Sequence, residues 1–214
     1  MLYKNSPAGA ITRKGATKIE GCKSIHIRSK LYSMEKTYST TVLAVRYNKK
    51  LVFVADGQVT RGVTALKHHA KKVRKFDGFD VIGGFAGAAA DAFTLFDLFE
   101  KKLKEFGGNL TKASVSLAKE WRTDKYLRVL EASLLVGDKK DLYLVSGDGN
   151  IIAPDSDNVM AIGSGGDYAL SAAKGILSLK PKITAKEIAT RAMDIASTLC
   201  IYTNNNFTFE EISC

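Results

Sequence analysis

The sequence predicts an α+β fold in four layers, αββα, with two β-sheets face to face between two pairs of helices. Two observations carry this. Apolar residues recur with the period of strands, then of two helices, then of strands, then of two more helices, before a final strand. The chain has 214 residues, 45% hydrophobic and 25% charged, with 18 Gly and 3 Pro. That composition excludes wholesale disorder and collagen-like repeats. The longest uncharged apolar run, residues 81–90, holds ten residues, whereas a membrane-spanning helix needs about 20. No membrane partner is expected.

Two regions divide the chain, a basic leader over 1–39 and a body over 40–214. The leader carries eight Lys or Arg against two Glu, so +6 of the total charge of +10 lies in it. It is rich in Ser and Thr and has no apolar stretch, which fits an organelle presequence rather than a secretory signal. The body is mildly basic. In it, 41–46 and 51–55 read as strands around a turn at 48–50, followed by short strands at 72–76 and 81–84. A helix over 89–106 places Ala92, Phe93, Phe96, Phe99 and Leu103 on one stripe. Asn109 is an N-cap for a second helix ending near Arg122. Strands return at 132–136 and 142–145, and the turn 146–150 leads to a hairpin partner at 151–152. Helices follow at 167–179 and 185–202. In the second, Thr184 is the cap, and Ile188, Ala192, Ile195 and Leu199 share a face.

Cys22, Cys200 and Cys214 show no CxxC spacing, and His26, His68 and His69 are too few for a histidine metal centre. No GxSxG elbow is present. Five features carry chemistry. A basic leader ends at Ser39 just before Thr40-Thr41, so cleavage there places a hydroxyl and a free α-amine on one residue. The amine is a base suited to neutral pH, and a threonine hydroxyl needs one to become a nucleophile. Asp56 stands where a strand ends in an Asp-Gly turn. Lys72 lies in the basic run 67–75, which reads as a solvated face or a nucleic-acid patch unless part of it is a strand with one Lys turned inward. Gly83-Gly84-Phe85-Ala86-Gly87 and Gly163-Ser164-Gly165-Gly166 offer open backbone N–H groups for an oxyanion or a phosphate.

Together these segments resemble a known family. Thr40-Thr-Val-Leu-Ala-Val-Arg46, Ala55-Asp-Gly-Gln58, Ala70-Lys-Lys-Val-Arg74, Gly84-Phe-Ala-Gly87 and Asp91-Ala-Phe-Thr-Leu-Phe96 are similar to the HslV (ClpQ) family, the proteolytic subunits of the HslUV protease. The likeness continues through Leu117–Asp124, Ile162–Gly166 and Cys200–Asn204, and so spans essentially all of 40–214. It implies the N-terminal-nucleophile hydrolase type of αββα sandwich and a threonine endopeptidase acting on unfolded proteins. By matching position, Thr40 is the nucleophile and its amine the general base, Asp56 and Lys72 orient and polarise the hydroxyl, the Gly84 N–H binds the oxyanion, and Ser164 bonds the terminal amine. No cofactor is implied for catalysis. A structural Na⁺ or Mg²⁺ is implied at the carbonyls of Ser197, Cys200 and Thr203, where a helix end presents unpaired oxygens. The implied partners are further copies in a double hexameric ring and a hexameric HslU-type AAA+ ATPase, since this chain has no GxxxxGK[ST] motif and the partner must use the ATP.

The leader departs from bacterial members, which begin near the reactive Thr, and resembles eukaryotic members acting in mitochondria. A matrix location is expected, or a cytoplasmic one if the leader is only a propeptide; in either case the uncleaved chain is a zymogen. Two other readings compete: the same fold hydrolysing small amides, and a basic nucleic-acid-binding module. No nucleic-acid partner is expected, because the basic run has no aromatic before Phe76.

Overall fold

The computed structural model describes residues 40–214. The leader, with Cys22 and His26, lies outside the described residues. The chain runs β1 (Thr41–Tyr47), β2 (Lys50–Ala55), β3 (Val59–Arg61), β4 (Thr64–Lys67), β5 (Val73–Lys75), β6 (Ile82–Gly87), α1 (Ala89–Glu105), α2 (Leu110–Thr123), β7 (Ala132–Gly137), β8 (Leu142–Ser146), β9 (Ile151–Ile152), β10 (Val159–Gly163), α3 (Gly166–Ser178), α4 (Ala185–Leu199) and β11 (Thr208–Ser213). One sheet has the order β10-β1-β2-β11, the other β5-β6-β7-β8-β9, and β3-β4 form a separate hairpin.

Three apolar clusters fill the three spaces between four layers. Strand residues alternate between faces. In β1 and β2, Val42, Ala44, Leu51, Phe53 and Ala55 therefore meet Val73, Ile82, Ala86 and Leu135 of the other sheet. Leu43, Val45, Val52 and Val54 point the opposite way, onto Ala169, Ala173, Ile188, Ala192 and Met193 of α3 and α4. The second sheet turns Phe85, Leu134, Val136 and Val145 to Leu95, Phe99, Leu103, Leu117 and Trp121 of α1 and α2. With both faces covered, the first strands are apolar without interruption, which is why they read so clearly.

Both expected helix caps are present. The Asn109 side chain accepts from the Lys112 N–H at 2.9 Å. Thr184 and Glu187 form a reciprocal capping box, a device worth about 1 kcal/mol. Two expected faces are corrected. Phe93 is 60% exposed, and Leu95 takes its place in the stripe with Ala92, Phe96, Phe99 and Leu103. In α4 the buried face is Ile188, Ala189, Ala192, Met193 and Ala196, leaving Ile195 and Leu199 exposed. The small alanines let α4 lie close against α3 and the sheet, so its larger residues ride at the margin. Helix α4 also stops at Leu199 rather than Tyr202, because Cys200 turns to extended geometry (φ −97°, ψ 113°).

Candidate active site

The fold brings the ends of distant segments together around the start of β1. Val42 pairs with Ala55, and Thr41 with Gly163. This register sets the turn after β2 and the turn after β10 on either side of Thr40 and Thr41. Asp56 is fully buried and Lys72 is 3% exposed, so the expected inward-facing lysine is present. Lys72 Nζ donates to Asp56 Oδ1 at 2.8 Å and to the Gln58 carbonyl at 2.5 Å. The same Asp56 Oδ1 accepts the Thr41 N–H at 2.8 Å, and Oδ2 accepts the Gln58 N–H at 2.8 Å. Four hydrogen bonds thus fix this ion pair, a condition under which a buried pair is tolerated. Burial pushes the Lys72 pKa below that of an ordinary lysine, against the opposing pull of Asp56.

Asp56→Asn leaves the buried ammonium without its counter-charge, and the variant is expected to lose roughly 3–5 kcal/mol at neutral pH. The sign with pH follows from proton counting. With the folded-state pKa of Lys72 below its unfolded value, the unfolded chain binds more protons in that window, so stability recovers as pH rises through it. Denaturant melts at neutral and alkaline pH check this; a pH-independent deficit contradicts it.

On the other side, the Ser164 N–H donates to the Thr40 carbonyl at 2.8 Å, and Gly163 (φ +90°) presses so close that a Cβ there would overlap the Thr40 oxygen. Only glycine suits both the dihedral and the contact. Gly163→Ala is expected to cost about 1–3 kcal/mol and to lower peptide turnover by displacing Thr40, as measured by melting and peptide hydrolysis. The Thr41 hydroxyl accepts from the Gly165 N–H at 3.0 Å and shares a hydrogen bond with the Thr203 hydroxyl at 2.7 Å.

The strand register orients the Gly84 N–H. Phe85 N–H donates to the Lys72 carbonyl and Phe76 N–H to the Val81 carbonyl, so residues 81, 83 and 85 turn their polar groups to β5. The intervening Gly84 N–H faces β7, opposite Leu135. Its lack of a side chain serves packing instead, since a Cβ there would lie 2.6 Å from Val42. By the same alternation the Gly87 N–H turns toward the β5 side, beyond the point where β5 begins at Val73.

At the end of α4 the Ser197 hydroxyl turns back to the Asp194 carbonyl at 2.8 Å, the Thr203 hydroxyl faces Thr41, and Cys200 is buried. The oxygens left for an ion are the backbone carbonyls of Ser197, Cys200 and Thr203, a donor set suited to a hard cation. The Cys200 carbonyl also accepts the Thr203 N–H at 3.0 Å. Among the described residues no group of three His, Cys, Asp or Glu could hold a metal.

Two members of the basic run are engaged. Lys72 is interior, and Arg74 lies 3.8 Å from Asp97 and 3.6 Å from Glu100 with its guanidinium over Phe96. Among the described residues no helix is long and apolar enough to cross a membrane.

Two sheets between helix pairs, with a threonine at the head of the first strand beside a buried Lys–Asp pair, define a hydrolase of the proteasome class. The proteasome subunit family model matches residues 37–212, and the chain belongs to that family. Within it the likeness is to HslV. The chain is 56% identical over 174 residues to the ATP-dependent protease subunit HslV of Pseudothermotoga lettingae, covering 81% of this chain and 98% of that protein. It is likewise 56% identical over 177 residues to that of Thermosipho africanus, covering 83% and 99%. The crystal structure of eukaryotic HslV from Trypanosoma brucei superposes with a TM-score of 0.77 at 41% identity, covering 81% of this chain and 99% of that one. Thiobacillus denitrificans BPH, at 18% identity, TM-score 0.62 and coverage of 81% and 98%, shares the fold. The chain is a threonine-type endopeptidase, the proteolytic subunit of an HslU–HslV-like ATP-dependent protease.

Proposed function

We propose that Thr40, freed of the leader, is the nucleophile of this endopeptidase and that its own α-amine is the general base. The observation carrying this is the buried Asp56–Lys72 pair, which bonds Thr41 immediately after Thr40, while Ser164 holds the Thr40 carbonyl from the other side. The amine takes the hydroxyl proton as Oγ attacks the scissile carbonyl, then gives it to the departing amine. Water, activated by the same amine, hydrolyses the resulting ester and restores Thr40. The Lys72 charge favours the alkoxide-like oxygen, and Ser164 orients the amine. The register supports the Gly87 N–H, in place of Gly84, as the oxyanion donor.

The assembly is a double hexameric ring fed with unfolded chains by an HslU-type AAA+ ATPase, as the family resemblance implies; the ATP dependence in the relatives' names, with no ATP motif in this chain, supports a separate ATPase. A Na⁺ or Mg²⁺ at the carbonyls of Ser197, Cys200 and Thr203 would tie the end of α4 to the following turn. The leader's charge supports a mitochondrial-type chain whose residues 1–39 are removed, leaving 40–214 as the peptidase domain; if they are only a propeptide the enzyme is cytoplasmic. Fluorogenic peptide turnover with and without the ATPase, joined to intact mass of the natively processed protein, tests this. A first residue other than Thr40, or turnover indifferent to the ATPase, overturns the corresponding part.

A further inference from the structure

The connection from α4 to β11 contains a side chain that no step above uses. Asn204 Oδ1 accepts the Gly57 N–H at 3.0 Å and the Asn206 N–H at 3.2 Å, while its Nδ2 donates to the His68 carbonyl at 3.0 Å. Gly57 is the residue after Asp56. His68 opens the segment that leads, through Ala70, into Lys72. One amide therefore spans the two strand-end segments that carry the buried ion pair.

The segments also touch directly. Ala70 N–H donates to the Gly57 carbonyl at 2.9 Å, and a Cβ on Gly57 would overlap the His68 carbonyl. They approach without a side chain between them, and Asn204 closes the contact from outside. The carboxamide meets both needs from separate atoms, an oxygen for the Gly57 N–H and an N–H for the His68 carbonyl. Aspartate keeps the first and sets a negative oxygen against a carbonyl at the second. Alanine keeps neither. The next Gln58 is bound to the same connection, its Nε2 donating to the Ile201 carbonyl at 3.0 Å, and Gln58 in turn receives Lys72 Nζ.

We propose that Asn204 is a positioning residue for peptide hydrolysis, setting the separation of Asp56 and Lys72 through Gly57 and His68. It rests on the reading of Thr40 as the nucleophile that this pair serves. Displacement of about 1 Å at a reacting group can cost as much as 100-fold in rate, so a brace at this point acts on kcat. KM is expected to change less than about two-fold, and because loss of folded protein also lowers apparent kcat at constant KM, rates are taken per folded active site.

The test uses Asn204→Ala and Asn204→Asp in the full chain, isolated in processed form and assayed with its ATPase on a fluorogenic peptide, beside Thr40→Ala. The expected result is a fall in kcat of about 10- to 100-fold for N204A, a smaller fall for N204D, near-constant KM and melting within a few degrees of the parent. Wild-type kcat in either folded variant overturns the proposal. So does a loss of activity that only follows the folded fraction, or failure of both variants to fold, because Asn204 then belongs to the fold alone. Retained activity in Thr40→Ala instead removes the reading beneath it, so the two failures are distinguishable.

Discussion

Thr40→Ala is expected to abolish peptide hydrolysis while the chain keeps its fold, whereas Thr41→Ala keeps part of its activity. The two threonines are adjacent, yet their surroundings differ. The Thr41 hydroxyl is held between the Gly165 N–H and Thr203, and its backbone N–H is bound to Asp56. Its side chain is fully buried, and its hydroxyl is engaged on both sides. Removing it leaves Thr203 and Gly165 short of a partner, a cost of about 1–3 kcal/mol felt as lower stability and modestly slower turnover. On the proposed mechanism, removing the Thr40 hydroxyl takes away the atom that forms the ester, so no acyl-enzyme is expected at any substrate concentration. Initial rates and mass spectrometry of an electrophile-trapped enzyme report both. A labelled Thr41, or an active T40A, transfers the nucleophile to the neighbouring position.

An intact chain still carrying residues 1–39 is expected to be inert. While Ser39 is attached, the Thr40 nitrogen is an amide with no useful basicity near neutral pH. The freed amine has a pKa of about 7.7–8.0 in the absence of neighbours. General-base catalysis supplies roughly 10²–10⁴-fold, and the uncleaved chain forfeits it before any crowding at Thr40 is counted. Lys72 does not replace it readily, because its ammonium is bound to Asp56 Oδ1 and the Gln58 carbonyl and would have to leave both to act as a base. Mass-verified precursor and processed protein, compared on one peptide substrate, decide this. Equal rates rule out the terminal amine as the base.

Much of the architecture was legible in the residues because each cue had a local cause. Asn109 and Thr184 announce helix starts by supplying an acceptor for orphan N–H groups, and Val42–Val45 reads as a strand because both faces are apolar. The β3-β4 hairpin was missed because its second strand is wholly exposed, so no burial imposes an alternation on it. β10 was missed because Val159–Gly163 merges into the glycine loop, and its start is marked only by Asn158 at φ +55°. Phe93 and Leu199 lie one helical step from buried stripes, where size alone suggests burial. That Asp56 meets Lys72 and that Ser164 meets Thr40 was legible from the motifs. The direction of the Gly84 N–H was not, since a motif gives position along a strand and the ladder gives orientation. The Thr203 side chain and Asn204 carry no local signal: their partners lie 162, 147 and 136 residues away.

Those separations have a consequence for the order of events during synthesis. Residues 200–214 are made after every segment they join, and supply Thr203 to Thr41, Asn204 to the Gly57 turn and the strand that pairs with β2 from Thr208 to Ser213. A nascent chain can assemble the α1-α2 half as it emerges, but the surroundings of Thr40 stay incomplete until residues 200–214 have been made. On the proposed mechanism a chain still lacking residues 200–214 is expected to be silent, and a variant truncated before Thr203, assayed on a fluorogenic peptide, checks this.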